Sequence, residues 1–121
     1  MLLVYDWLSM LPTTATQLVD LDRREIVGAD GSRRKVNSRY EWRLLEALAR
    51  AGDRVLEHDE LARAVYVEEA QQHGADFLAL AYDEPLRKVV QRARRLLSAA
   101  GYDGRATLEN YRAQGYRLHV N

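Results

Sequence analysis

Between Asp83 and Gly101 the apolar positions fall at Leu86, Val90, Ala93 and Leu97, with Val89 and Leu96 at their borders. This spacing places them on one stripe of a helix with a period of about 3.6 residues. It predicts an amphipathic helix from Pro85 to Ala100. Asp83 suits the N-cap, Pro85 the first turn, where no amide partner is needed, and Gly101 the stop. Two earlier segments carry the same period. Trp42, Leu45, Leu48 and Ala49 follow Ser38 and Glu41, which have capping-box spacing, and the helix they predict ends at Gly52. In "HDELARAVYV", Leu61, Ala62 and Val65 form a shorter apolar face behind Asp59 and Glu60, whose charges suit the positive end of a helix.

Elsewhere the pattern is that of strands. Leu18, Leu21, Ile26, Val27 and Val36 lie around the reversal "GADGS", which predicts a small antiparallel meander. "TLENYRAQGYRLHV", Thr107 to Val120, alternates on both sides of "AQG" and predicts a hairpin. Because strand side chains alternate with a period of about two, Tyr116 and Leu118 should face the core. Arg112 should be exposed near the tip, and Gly115 should take a backbone conformation that a Cβ would resist. Residues 1–16 form an N-terminal extension in which "LLVY" reads as a strand and "LPTTAT" as a loop. The 67–83 segment has three open readings: an extension of the second helix, a short separate helix, or a loop docking Phe77, Leu78, Leu80 and Tyr82, with Gly74 as a break. The fold class is α+β: a meander, three helices and a C-terminal hairpin in one domain.

Composition narrows the chemistry. The 121 residues are 47% hydrophobic and 30% charged, and none is cysteine, so there is no disulfide framework and no thiolate site. His58, His73 and His119 are too scattered for a metal-ligand set. Ser9, Ser32, Ser38 and Ser98 have no accompanying His/Asp pattern. The expectation is therefore a protein that is not an enzyme and has no cofactor, metal or catalytic residue. No apolar run reaches the roughly 18 residues of a membrane span. "MLLVYDWLSML" lacks a basic leader and contains Asp6, which argues against a signal peptide. The expected location is cytoplasmic, away from the membrane.

Net charge is zero, but it is unevenly spread. Met1 to Glu84 holds 10 Lys+Arg against 16 Asp+Glu, a balance of −6, and Pro85 to Asn121 holds 8 against 2, a balance of +6. No acidic residue stands between Arg87 and Ala100, so this stretch itself supplies none of the i,i+4 carboxylates that usually accompany a solvated face. Lys88, Gln91 and Arg95 centre opposite the apolar stripe, with Arg87, Arg92 and Arg94 on its flanks. A helix fits the major groove of duplex DNA, and nearby arginines can hold phosphates or enter the minor groove. Arg87, Lys88, Gln91 and Arg94 are expected at base edges or adjacent phosphates, Arg92 and Arg95 at phosphates, and Arg112 with Gln114 at work from the hairpin. The alternative is a protein-interaction module of the same shape that does not read DNA, which zero net charge supports.

The order of these pieces, from Gln17 to Val120, resembles the winged-helix DNA-binding domain of OmpR/PhoB-type response regulators. The resemblance rests on Ser38, Glu41, Trp42, Leu44 and Leu45 in the first helix and on Val55, Leu61, Val65 and Tyr66 around the second. Val90, Gln91, Arg92, Ala93, Arg94, Arg95 and Leu97 carry it in the basic helix, and Arg112, Gly115, Tyr116 and Arg117 in the hairpin. The chain departs from the family where Ala113 replaces a glycine, where Ala93 replaces a leucine, and where Glu57 or His58 replaces a Ser/Thr cap. The resemblance implies a winged helix-turn-helix over 17–121, with 85–100 as recognition helix and 107–120 as wing. It implies a transcriptional regulator binding double-stranded DNA, with the 67–83 segment, longer here than is typical, facing RNA polymerase and molecules binding in tandem on direct repeats, where the −6 and +6 parts of neighbours would attract head-to-tail. A two-fold dimer through Met1–Leu11 with Trp7 is the competing assembly. With no receiver domain in the sequence, the expectation is an isolated effector domain or a standalone regulator.

Overall fold

The structure, a computed structural model, describes residues 18–73, 84–111 and 114–119. The N-terminal extension with Trp7, the docking residues Phe77 to Tyr82, Gly74, Arg112 and Ala113 lie outside the described residues.

The chain opens with a meander of β1 (Val19–Asp20), β2 (Glu25–Val27) and β3 (Arg33–Lys35), paired antiparallel in that order. Asp20 accepts the amides of Asp22 and Arg23 and so folds the first turn back on itself. Arg24, with φ +57°, completes the reversal and lays its guanidinium 5.5 Å from the Trp42 ring. The second turn carries Gly31 at φ +86°, in the left-handed region that glycine enters at least cost. Only Ile26 of β2 is fully buried, whereas all of β3 is exposed. The acidic balance before residue 84 is therefore uneven: β3 presents Arg33, Arg34 and Lys35 to solvent.

Helix α1 (Arg39–Ala51) buries Trp42, Leu44, Leu45, Leu48 and Ala49 and stops at Gly52, φ +66°. Ser38 is its N-cap, but the expected capping box is absent. The Ser38 hydroxyl donates to the Glu41 carboxylate instead of accepting a backbone amide. A two-residue strand, β4 (Leu56–Glu57), leads into α2 (His58–Val65). There Glu57 is the N-cap, and its amide donates to the Glu60 carboxylate at 3.3 Å, so Glu60 supplies the reach-back bond of a capping box. Leu61, Ala62 and Val65 are buried, as the apolar period requires.

Of the three readings for the next segment, the separate short helix is observed over its described part, as α3 (Val67–His73). Helix α4 (Glu84–Ala99) follows. A four-residue helix, α5 (Gly104–Thr107), which the sequence pattern did not suggest, precedes β5 (Leu108–Tyr111) and β6 (Gly115–Leu118). Asp103 caps it by accepting the amides of Arg105 and Ala106. The described residues thus hold five helices, the three expected and two short additions. The second sheet has the order β4-β6-β5, so the hairpin is joined by a strand from between α1 and α2. Tyr116 and Leu118 face inward at 6% and 0% exposure, as the alternation requires.

One core unites these parts, with side chains from the meander, α1, α2, α4 and the hairpin. Burying each leucine of this core contributes roughly 1.5–3 kcal/mol, which is what holds α4 at a fixed angle to the hairpin. The meander is tied to the end of α4 as well. The Ala29 amide donates to the Ala100 carbonyl at 2.9 Å, and the Tyr102 hydroxyl to the Val27 carbonyl at 2.6 Å. Among the described residues no helix is long and apolar enough to cross a membrane.

Candidate nucleic-acid interface

Helix α4 has two faces of opposite character. Leu86, Val89, Val90, Ala93 and Leu97 are at most 2% exposed. Arg87, Lys88, Gln91, Arg92 and Arg95 are exposed on the other side. The apolar period sets this division: once the stripe is buried, the remaining positions must face solvent. Ala93 is fully buried despite its small size.

Three arginines of this helix have different surroundings. Arg92 remains 56% exposed at the side chain, and its Nε lies 3.9 Å from the buried carboxylate of Glu41, the closest charge partner it has among the described residues. Arg95 makes no ion pair with any described residue. Arg94 has a partner within the fold. Its Nε and Nη2 donate to the Leu108 carbonyl at 3.1 and 2.9 Å, and the side chain is half-buried. Burial, with the like charge of Arg105 beside it, lowers its pKa. The guanidinium is held against the first residue of β5. It is a strut between helix and hairpin.

The hairpin is built by register. Leu108 opposes Leu118, Asn110 opposes Tyr116, and Tyr111 opposes Gly115. Gly115 also opposes Glu57 of β4, and the approach there is close. A Cβ at Gly115 would lie 1.8 Å from the Leu56 carbonyl oxygen and 2.8 Å from the Glu57 Cα. This contact, more than conformational freedom, is why the position requires glycine.

Of the two hairpin arginines, Arg112 lies outside the described residues, and Arg117, partly exposed on the face opposite Tyr116 and Leu118, is paired within the hairpin. Arg117 Nη2 donates to Glu109 at 3.0 Å, its guanidinium stacks 5.0 Å from the Tyr111 ring, and His119 Nε2 contacts the same carboxylate at 2.8 Å. Burial opposes ionisation of Glu109, but Arg117, Tyr111 and His119 together hold its carboxyl below the usual value. Gln114 is exposed at the turn, where the sequence put it. His58, half-buried, meets the edge of Tyr116 at 5.6 Å between ring centres.

Beside the cationic face, α4 and α5 enclose an open recess of about 550 Å³. Gln91, Arg94, Arg95 and Ser98 line it from α4, and Asp103 and Arg105 line it from the α5 side. Sequence reasoning omitted Arg105 and Ser98. Arg105 belonged to the basic final third, but nothing in the linear pattern brought it against α4. Its neighbour supplies the reason: at Gly104 an added Cβ would sit 2.6 Å from the Arg94 carbonyl oxygen, so only glycine lets α5 pack this closely.

The structure therefore gathers Arg87, Lys88, Gln91, Arg92 and Arg95 on the exposed side of α4, while Arg94, which shares the recess with Gln91 and Arg95, is engaged by the Leu108 carbonyl. Among the described residues no group of three His, Asp or Glu is close enough to hold a metal ion. No protein-family model matches the sequence, and no curated protein matches it significantly.

Proposed function

We propose that the chain is a winged helix-turn-helix domain of the OmpR/PhoB type that binds duplex DNA in a sequence-specific way and regulates transcription. In this reading α4 enters the major groove as the recognition helix and the β5–β6 hairpin is the wing. Arg87, Lys88 and Gln91 reach base edges or adjacent phosphates. Arg92 and Arg95 hold phosphates, and Gln114 with Arg112 works from the wing. The observation that carries it is the outer face of α4, which has five exposed cationic or amide side chains and no acidic residue between Arg87 and Ala100. Arginine can pair bidentately with guanine and glutamine with adenine, so this face has the donor chemistry that base edges require. The protein has no catalytic role in this proposal.

The same proposal assigns the 67–83 segment to RNA polymerase and lets molecules load head-to-tail on direct repeats about one helical turn apart. Sedimentation without DNA tests the assembly. The expected result is a monomer in moderate salt, and a dimer that survives high salt would point instead to Met1–Leu11.

A net charge of zero favours a second reading, a protein-docking module that keeps this shape without reading DNA. Binding to random duplex as a function of salt separates the two. A DNA binder releases condensed counterions, so its affinity should fall steeply as salt rises. Absence of duplex binding at low salt would reject the DNA proposal and favour the docking module.

A further inference from the structure

The recess between α4 and α5 has the volume of a small-molecule site, about 550 Å³. It lacks the apolar lining that such sites use to bury a ligand. Its walls are three arginines, an amide, a hydroxyl and one carboxylate. The charges do not cancel. Asp103 is the one acidic side chain of the lining, against Arg94, Arg95 and Arg105. Moreover, the Asp103 carboxylate is already engaged by the amides of Arg105 and Ala106. The start of α5 is thus occupied by the protein's own anion and offers nothing to a ligand.

Arg94 is committed to the Leu108 carbonyl. That leaves Arg95 and Arg105, both exposed, to face the recess without a carboxylate partner among the described residues. Like charges held in one concavity repel, and an anion relieves the repulsion. Planar guanidinium groups match oxyanions with paired N–H donors, and the Ser98 hydroxyl and Gln91 amide can add single hydrogen bonds.

We infer that the recess between α4 and α5 is a phosphate-group site, with Arg95 and Arg105 as its charged donors and Ser98 and Gln91 beside them. On the DNA proposal, on which this assignment of source rests, the group is a backbone phosphodiester lying past the C-terminal half of α4. The recess is open and roomy for a bare ion, which suits a phosphate that enters with its neighbouring sugars. Arg105 is then a DNA contact on an element outside both the recognition helix and the wing.

The test uses the full chain in two arms. In the first, affinity for a random duplex is measured against salt for the wild type, Arg95→Gln and Arg105→Gln, with circular dichroism melting to check folding. Each loss of a phosphate contact should flatten the slope of log affinity on log salt by about one unit, and Arg105→Lys should restore most of it. Arg50→Gln, on α1 and paired with Glu46, is the charge-matched control. An equal flattening there would overturn the assignment, because it would mark a bulk-charge effect. In the second arm, amide NMR shifts of the DNA-free protein are followed as inorganic phosphate replaces chloride at constant ionic strength.

Reduced slopes without phosphate shifts would support the duplex backbone as source. Phosphate shifts at Arg95, Ser98 and Arg105 in a protein that binds no duplex would support the recess with free phosphate as its ligand, while rejecting the DNA proposal. Duplex binding with unchanged slopes in both variants and no phosphate shifts would overturn the recess and leave the DNA proposal standing. Silence in both arms would overturn both.

Discussion

The arginines of α1 and those of α4 lie on two amphipathic helices of one core, yet they have opposite surroundings. On α1, Arg39 and Arg43 hold Glu68 at 3.0 and 2.8 Å, and Arg50 reaches Glu46 at 3.5 Å. The Tyr40 hydroxyl adds a 2.6 Å bond to Glu69. Arg39, Arg43 and Tyr40 thereby fasten α3 to α1, and Arg50 braces α1 itself. On α4, Arg95 has no carboxylate among the described residues, Arg92 approaches one only at 3.9 Å, and Arg94 is bound to a carbonyl. Equal positive charge therefore serves two purposes. Where carboxylates sit within reach, as for Arg39 and Arg43, arginine joins elements of the fold; at Arg95 none sits within reach among the described residues. Counting arginines cannot separate the two cases, but their partners can.

The largest expected effect sharpens that contrast, because Arg94 sits on α4 and behaves like an arginine of α1. Arg94→Ala should destabilise the fold by about 2 kcal/mol, the scale of hydrogen bonds from a charged group. Urea denaturation would measure it. A change within about 0.5 kcal/mol, with weakened DNA binding, would return Arg94 to the reading face. Next, Arg43→Gln should cost under about 1 kcal/mol, since a partly exposed ion pair is worth little, and should leave duplex affinity unchanged. An affinity loss matching that of Arg95→Gln would erase the distinction between the helices.

A smaller effect concerns acid. Glu68 is held below its ordinary 4.5 by the Arg43 hydrogen bond and the nearby Arg39, and Glu69 by the Tyr40 hydroxyl. A depressed carboxyl binds fewer protons when folded, so its contribution is present above the unfolded pKa and lost as pH falls through the folded one. The amides of α3 should therefore lose hydrogen-exchange protection as pH drops below about 4.5, before those of α4 do. Burial drives Tyr66 the other way, up to about 12. Its contribution is complete below the ordinary value of 10.0 and should disappear as pH rises through about 12. The smallest effect is on Arg95→Gln itself, which should change stability by less than about 0.5 kcal/mol, as exposed substitutions usually do. A larger loss would mean that this side chain too is structural.

Much of this was legible in the chain because burial enforces a period. The stripe from Leu86 to Leu97, the inward Tyr116 and Leu118 and the buried Trp42 all follow from apolar spacing. What escaped depends on partners far away in sequence or on geometry below the scale of a pattern. Ser38 and Glu41 have the right spacing, but the hydroxyl turned to the carboxylate instead of an amide. Arg94 lies at the margin of its stripe, where a long side chain has several directions open, and the choice falls to a carbonyl 14 positions on. Helix α5 is a single turn, too short to show a period, and β4 has only two residues. The recess needs α5, so its arginine partner was hidden with it.

The two-residue β4 also bears on the order in which the molecule assembles. Leu56 pairs with Tyr116, about 60 residues later, so the sheet closes across most of the domain. Contacts of such separation form slowly, because a long loop must be closed before any pairing compensates it. The meander, by contrast, pairs residues within one short stretch. On a ribosome, α1, α2 and α4 all emerge before β6 does, so the cationic helix exists for a time without the strand that completes its setting. The cationic surface thus precedes its own alignment, which is complete only once β6, brought against Leu56 by the missing Cβ of Gly115, has closed the sheet.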